Sequence, residues 1–137
     1  MFTRVKTATE IDGMRESGKM LATILDMVLK PIVAPGISER ELADVAAREL
    51  RALGGHPTFK GYQGFPDVIC ISVNDKVVHG IPGEYVLQDG DVVSLDFGVT
   101  YRGMVTDSAR TFLVGDVAPK VVQLVRETEK SLFAGVD

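Results

Sequence analysis

Apolar residues recur at helical spacing from the start of the chain: Ile11, Met14, Leu21, Ile24, Leu25, Val28 and Leu29 share one face of an amphipathic helix. Thr7-Ala8-Thr9-Glu10 precedes them as a capping box, in which a hydroxyl and a carboxylate satisfy the first free amides of a helix. A first helix is therefore expected from about Ala8 to Lys30, stopped by Pro31 and then by Pro35-Gly36. The signal repeats at Ser38-Glu39-Arg40-Glu41, followed by Leu42, Val45, Ala46, Leu50 and Leu53 on one face, with Gly54-Gly55 in the position that ends a helix.

The period then disappears. From Gly54 to Pro66 the chain is rich in Gly, Pro and aromatic residues, which predicts an ordered loop carrying side chains, with His56 a loop residue beside Pro57. Val68 to Val73 reads as a buried strand, Asn74-Asp75 as a turn, and Lys76-Val77-Val78-His79 as a short partner strand ending at Gly80-Ile81-Pro82-Gly83. A turn at Leu87 to Asp91 leads into two further strands, Val92 to Thr100 and Met104 to Val114, and the tail from Pro119 has the apolar spacing of a third helix. Helices followed by antiparallel strands and a last helix define an α+β domain.

Two aspartates interrupt this pattern. Asp96 lies inside the apolar run Val92 to Val99, and Asp107 lies in the next strand. With Tyr101-Arg102 as a two-residue hairpin loop, Asp96 falls directly opposite Asp107, with Cβ atoms ~5 Å apart. A three-residue loop would instead pair Asp96 with Ser108. Such an Asp can also cap a turn or sit in a solvent-facing pair. The apolar flanks of Asp96 and the lack of a Lys or Arg within two residues of it favour a different partner, a divalent cation. Two converging carboxylates supply four oxygens, suited to hard or borderline divalent ions and able to bridge two of them. His79, before a rigid Gly-Ile-Pro turn, is either structural, a hydrogen-bond donor to a developing oxyanion or substrate amide, or a metal ligand. Cys70 has no neighbour that would lower its pKa, which makes it a packing residue rather than a nucleophile.

Composition narrows the class of partner. The chain has 137 residues and a net charge of −4, against nucleic acid or an anionic membrane as the main partner. A single cysteine excludes an internal disulfide, no signal-peptide apolar region opens the chain, and no apolar stretch is long enough to span a bilayer. These features point to a reducing, cytoplasmic setting.

Ile69-Cys70-Ile71-Ser72-Val73-Asn74, Val78-His79-Gly80-Ile81-Pro82, Gly90 to Asp96, and Thr106-Asp107-Ser108-Ala109-Arg110-Thr111-Phe112 follow one another in an order and spacing that resembles the bacterial type I methionine aminopeptidases. The resemblance runs from the first helix to the last residue. It implies the pita-bread fold of the creatinase and aminopeptidase type, two related α+β halves about an antiparallel sheet with flanking helices, and makes residues 1–137 the N-terminal half of the catalytic domain. Asp96 and Asp107 resemble the two aspartate ligands of a site for two divalent ions, Co, Mn, Fe, Zn or Ni. His79 resembles the histidine that contacts substrate beside the scissile bond, and Tyr62, Phe65 and Cys70 fall where that family lines its methionine pocket. The implied reaction is removal of N-terminal methionine from a nascent peptide.

The family's remaining ligands, a histidine and two glutamates, and its second substrate-contacting histidine have no counterpart among these 137 residues. The leading expectation is thus a chain inactive alone. The alternatives are a half-domain completed by homodimerisation or by docking of a second-half chain, and a non-catalytic pita-bread module that binds a peptide or partner. Retention of His79, Asp96 and Asp107 together disfavours the last.

Overall fold

In the computed structural model, which describes residues 4–136, both capping boxes are formed. Helix α1 (Ala8–Ala22) begins at Thr7, whose hydroxyl accepts from the Glu10 amide while the Glu10 carboxylate accepts from the Thr7 amide. It continues without a break into a π-helical segment, Thr23–Leu29, and a 3₁₀ turn, Lys30–Ile32, so the expected helix is present with a looser second half. Helix α2 (Glu39–Ala52) starts at Ser38 with the same reciprocal bonds to Glu41. The last helix, α3 (Pro119–Val136), buries none of its residues and leaves Leu124, Leu132 and Phe133 exposed.

Four antiparallel strands form one sheet: β1 (His56–Pro57), β2 (Ile69–Val73), β3 (Val92–Tyr101) and β4 (Met104–Leu113). The long strand β3 is central. It pairs with β4 along one edge and with β2 and β1 along the other. The pleat of β3 separates two environments. Val93, Leu95, Phe97 and Val99 point into a core completed by Leu21, Ile24, Leu25 and Leu29, by Leu42, Ala46 and Leu50 of α2, and by Ile69 and Ile71 of β2. Each large side chain buried there contributes about 1.5–3 kcal/mol through apolar area removed from water. The helices cover only this face. The residues in between, Ser94, Asp96, Gly98 and Thr100, lie on the other.

Three expectations are corrected. The hairpin turn is Arg102-Gly103, not Tyr101-Arg102: it is a type I′ turn, which matches strand twist and takes positive φ at both central positions. Arg102 has φ 49° and Gly103 φ 73°, and Tyr101 pairs with Met104. Asp96 consequently lies opposite Ala109, and Asp107 opposite Gly98. The register has moved by two positions, which preserves the face, so the two aspartates are diagonal neighbours rather than a direct pair.

Residues 76–79 do not form a strand either: Val77 and Val78 are exposed, and no strand among the described residues pairs with them. The chain instead loops out after Val73 and returns at Gly80. Finally, His56-Pro57 is not loop but the short strand β1, held opposite Thr100 and Val99 of β3.

Candidate active site

The open face of the sheet forms the floor of a groove of about 450 Å³. Asp96, Asp107 and Cys70 lie on that floor, and Cys70 is directly opposite Asp96 in the β2–β3 register. One wall is the loop after β1, which contributes Phe59, Tyr62 and Phe65, and the other is the segment carrying His79 and Ile81. All six residues singled out in the sequence, Tyr62, Phe65, Cys70, His79, Asp96 and Asp107, therefore line one groove. Phe59 and Ile81 line it too and were missed. Their only signal was proximity to Gly- and Pro-rich turns, which does not distinguish a groove wall from an ordinary loop.

Local geometry explains how the walls are seated. Gly98 has no side chain for the loop to meet: a Cβ there would lie 2.7 Å from Cε1 of Phe59 and 2.9 Å from Cβ of Thr58. Without it, the Thr58 amide donates to the Gly98 carbonyl at 3.2 Å, and the Phe59 ring rests over β3. Phe59 then meets Phe65 edge to face, with centroids 6.5 Å apart, a favoured aromatic arrangement.

The opposite wall is held by Gly80. Its carbonyl accepts from the Ile71 amide at 2.9 Å, and its own amide donates to Oγ of Ser72 at 3.1 Å. A Cβ at Gly80 would fall 2.0 Å from the Ile71 carbonyl oxygen, so only glycine allows this approach. The preceding residue, His79, has φ 57°, a left-handed conformation that an L-residue adopts at some energetic cost. Its side chain borders the groove within electrostatic reach of Asp96.

The floor is electrostatically unfavourable as it stands. The Asp96 carboxyl is pushed up to about 6, first by burial, then by the charge of Asp107 and a hydrogen bond between the two carboxyl groups, with His79 acting in the opposite direction. The Cys70 thiol is pushed up to about 11 by burial and then by both aspartates. A raised thiol pKa keeps this floor group neutral.

A divalent cation would relieve the repulsion, and two carboxylates are the hard oxygen donors that such an ion takes. The donor set is partial. Among the described residues, no three His, Cys, Asp or Glu side chains gather where they could hold one ion. The residues present thus fit the cation as two of its ligands and do not close a coordination shell.

An antiparallel sheet is thus covered by helices on one side and carries paired carboxylates and a histidine at an aromatic-walled groove on the other. The chain belongs to metallopeptidase family M24, whose sequence profile matches residues 12–137. Within it, the chain is similar to methionine aminopeptidases. It is 47% identical over 133 residues to that of Clostridium perfringens, a match covering 97% of this chain and 53% of the relative.

Among solved structures, it superposes on methionine aminopeptidase from Rickettsia prowazekii with a TM-score of 0.94 at 32% identity, over 99% of this chain and 54% of that one. For the Thermotoga maritima enzyme the TM-score is 0.90 at 36% identity, covering 94% and 52%. The chain spans about half the length of these relatives, and its fold is one half of the pita-bread architecture. Divalent metal use follows from the family. No described helix is long and apolar enough to cross a membrane.

Proposed function

We propose that this chain supplies one half of a metal-dependent aminopeptidase site that removes N-terminal methionine from nascent peptides in the cytoplasm. The observation that carries the reading is the groove itself: a strained carboxylate pair on its floor, a histidine on one wall and apolar aromatic side chains on the other. Asp96 and Asp107 would hold the divalent ions, two of Co, Mn, Fe, Zn or Ni in the complete site. When bound, such ions polarise a scissile carbonyl and lower the pKa of an attacking water.

The remaining work falls to the chain's own residues. Tyr62, Phe65 and Cys70 form a slot for an unbranched thioether, in which Cys70 contributes a small neutral surface. His79, on the facing wall, donates a hydrogen bond to the substrate amide or to the oxyanion as it develops.

With two ligands in place of a full set, the chain alone is expected to bind Mn²⁺ or Co²⁺ weakly and to release no detectable methionine from a Met-Ala-Ser peptide. Calorimetry with Asp107→Asn should show that weak uptake abolished. Robust turnover by the purified 137-residue chain, or uptake unchanged in Asp107→Asn, would overturn the reading.

One observation favours completion by a partner. β4 is a ten-residue edge strand whose outer hydrogen-bonding groups face no strand among the described residues, and α3 (Pro119–Val136) buries none of its residues. Bare edges of this length pair readily with further strands. A second-half chain or a second copy of this chain would add both strands and ligands there. Monomeric sizing behaviour with added Mn²⁺ would eliminate the second copy.

A further inference from the structure

The two groove walls are irregular segments, and both are tied to the same point of the fold, the first turn of α2. Glu39 is 1% exposed, unusual for a carboxylate, and each of its oxygens holds the His79 segment. Oε1 accepts from Nζ of Lys76 at 3.1 Å, three residues before His79, and Oε2 accepts from the Gly83 amide at 2.8 Å, four residues after it. The backbone adds two bonds: the Glu39 amide donates to the Tyr85 carbonyl and the Arg40 amide to the Gly83 carbonyl, each at 2.9 Å. The next side chain, Arg40, turns to the other wall. Its guanidinium pairs with Asp67, two residues beyond Phe65, and Asp67 in turn accepts from the Val68 amide at the entry to β2.

A buried carboxylate and a half-buried guanidinium at successive positions are poor choices for packing alone. Apolar side chains of the same volume would serve a core as well or better. What they provide is direction, since each recognises one wall and neither touches the groove. We propose that Glu39 and Arg40 are positioning residues that set the width of the groove, Glu39 by fixing the His79 segment and Arg40 by fixing the segment that carries Tyr62 and Phe65. The proposal rests on the groove's being a substrate site only for its functional meaning; the clamp itself is testable without activity.

The test is ¹⁵N relaxation on the full 137-residue chain. Amides of residues 77–81 and 60–65 are expected near the rigid value of about 0.85 in the order parameter. In Glu39→Ala, residues 77–81 should fall below about 0.6 while β3 stays rigid. Glu39→Gln, which keeps an acceptor for the Gly83 amide, should restore part of the order. Asp67→Asn should loosen residues 60–65 and leave 77–81 unchanged.

Lys76→Met repeats the first arm at a half-exposed partner and keeps the test available if Glu39→Ala does not fold. Unchanged order in both walls, or equal loosening of β3, would overturn the clamp. Mn²⁺ broadening serves as the separate control. Its absence at Asp96 and Asp107 in the unaltered chain would sink the metal reading and leave the clamp standing. Retained broadening at the aspartates in Glu39→Ala, with reduced broadening of the His79 ring, is the signature of a wall displaced from an intact floor.

Discussion

Alternate residues of one strand, β3, meet two different requirements. Toward the helices, Val93, Leu95, Phe97 and Val99 are wholly buried among apolar side chains. Toward the groove, Asp96 sits beside a like charge, and Gly98 has no side chain at all because a phenyl ring takes its place. The first face contributes stability through area removed from water. The second gives some of it up for a groove floor that carries paired carboxylates. Substitutions on the two faces should therefore differ in size and, at Asp96, in sign, although the residues are neighbours in the chain.

The largest effect belongs to the covered face. Phe97→Ala should destabilise the chain by about 3–5 kcal/mol, through lost transfer energy and the cavity left behind. Urea unfolding checks this as a lowered midpoint at unchanged slope, and a loss of under about 1 kcal/mol would mean the core lies elsewhere.

Gly98→Ala is intermediate. The added methyl has no room beneath Phe59 and Thr58, so a cost of about 1–3 kcal/mol is expected, together with displacement of the 58–66 loop. Proton chemical shifts of the Tyr62 and Phe65 rings report that displacement, and rings that do not move would show that the loop is not seated on β3.

The smallest effect has the opposite sign. Asp96 has a folded-state value of about 6 against an ordinary 3.8, so the folded chain binds that proton more tightly than the unfolded chain does. Stability should fall as pH rises through that window, from about 4 to about 6, and the penalty persists at neutral pH. Asp96→Asn removes the penalty. Because Asp96 is only part-buried, solvent screening limits the gain at pH 7 to about 1 kcal/mol or less, and the slope between pH 4 and 6 should flatten. Thermal unfolding across pH is the measurement. A variant less stable than the parent at pH 7 would show that Asp96 makes a favourable interaction that the structure does not contain.

Much of the covered face was legible in the sequence. Both capping boxes, the apolar stripe of α1, the stripe of α2 and the alternation within β3 are local signals, because helix and strand periods are written in successive side chains. Asp96 and His79 stood out for a similar reason, whereas Tyr62, Phe65 and Cys70 came from the family resemblance. A carboxylate inside an apolar run, a histidine before a rigid turn and a Gly- and aromatic-rich loop each break the local pattern. Where the reading failed, the deciding contact was distant or conformational. Lys76-Val77-Val78-His79 has the composition of a strand and lacks a neighbour to pair with. His56-Pro57 has the composition of a loop and is captured by β3. The hairpin shifted because Gly103 accepts positive φ where Tyr101 would not.

By itself, then, the sequence determined the helices, the central strands, the class of fold and the residue types available for chemistry, all of which follow from short-range periodicity and side-chain character. Tertiary structure alone decided the seating of Phe59 over Gly98 and the attachment of both groove walls to Glu39 and Arg40. Those features join residues far apart in the chain, and a pattern read along one dimension holds no record of which surfaces close upon one another in three.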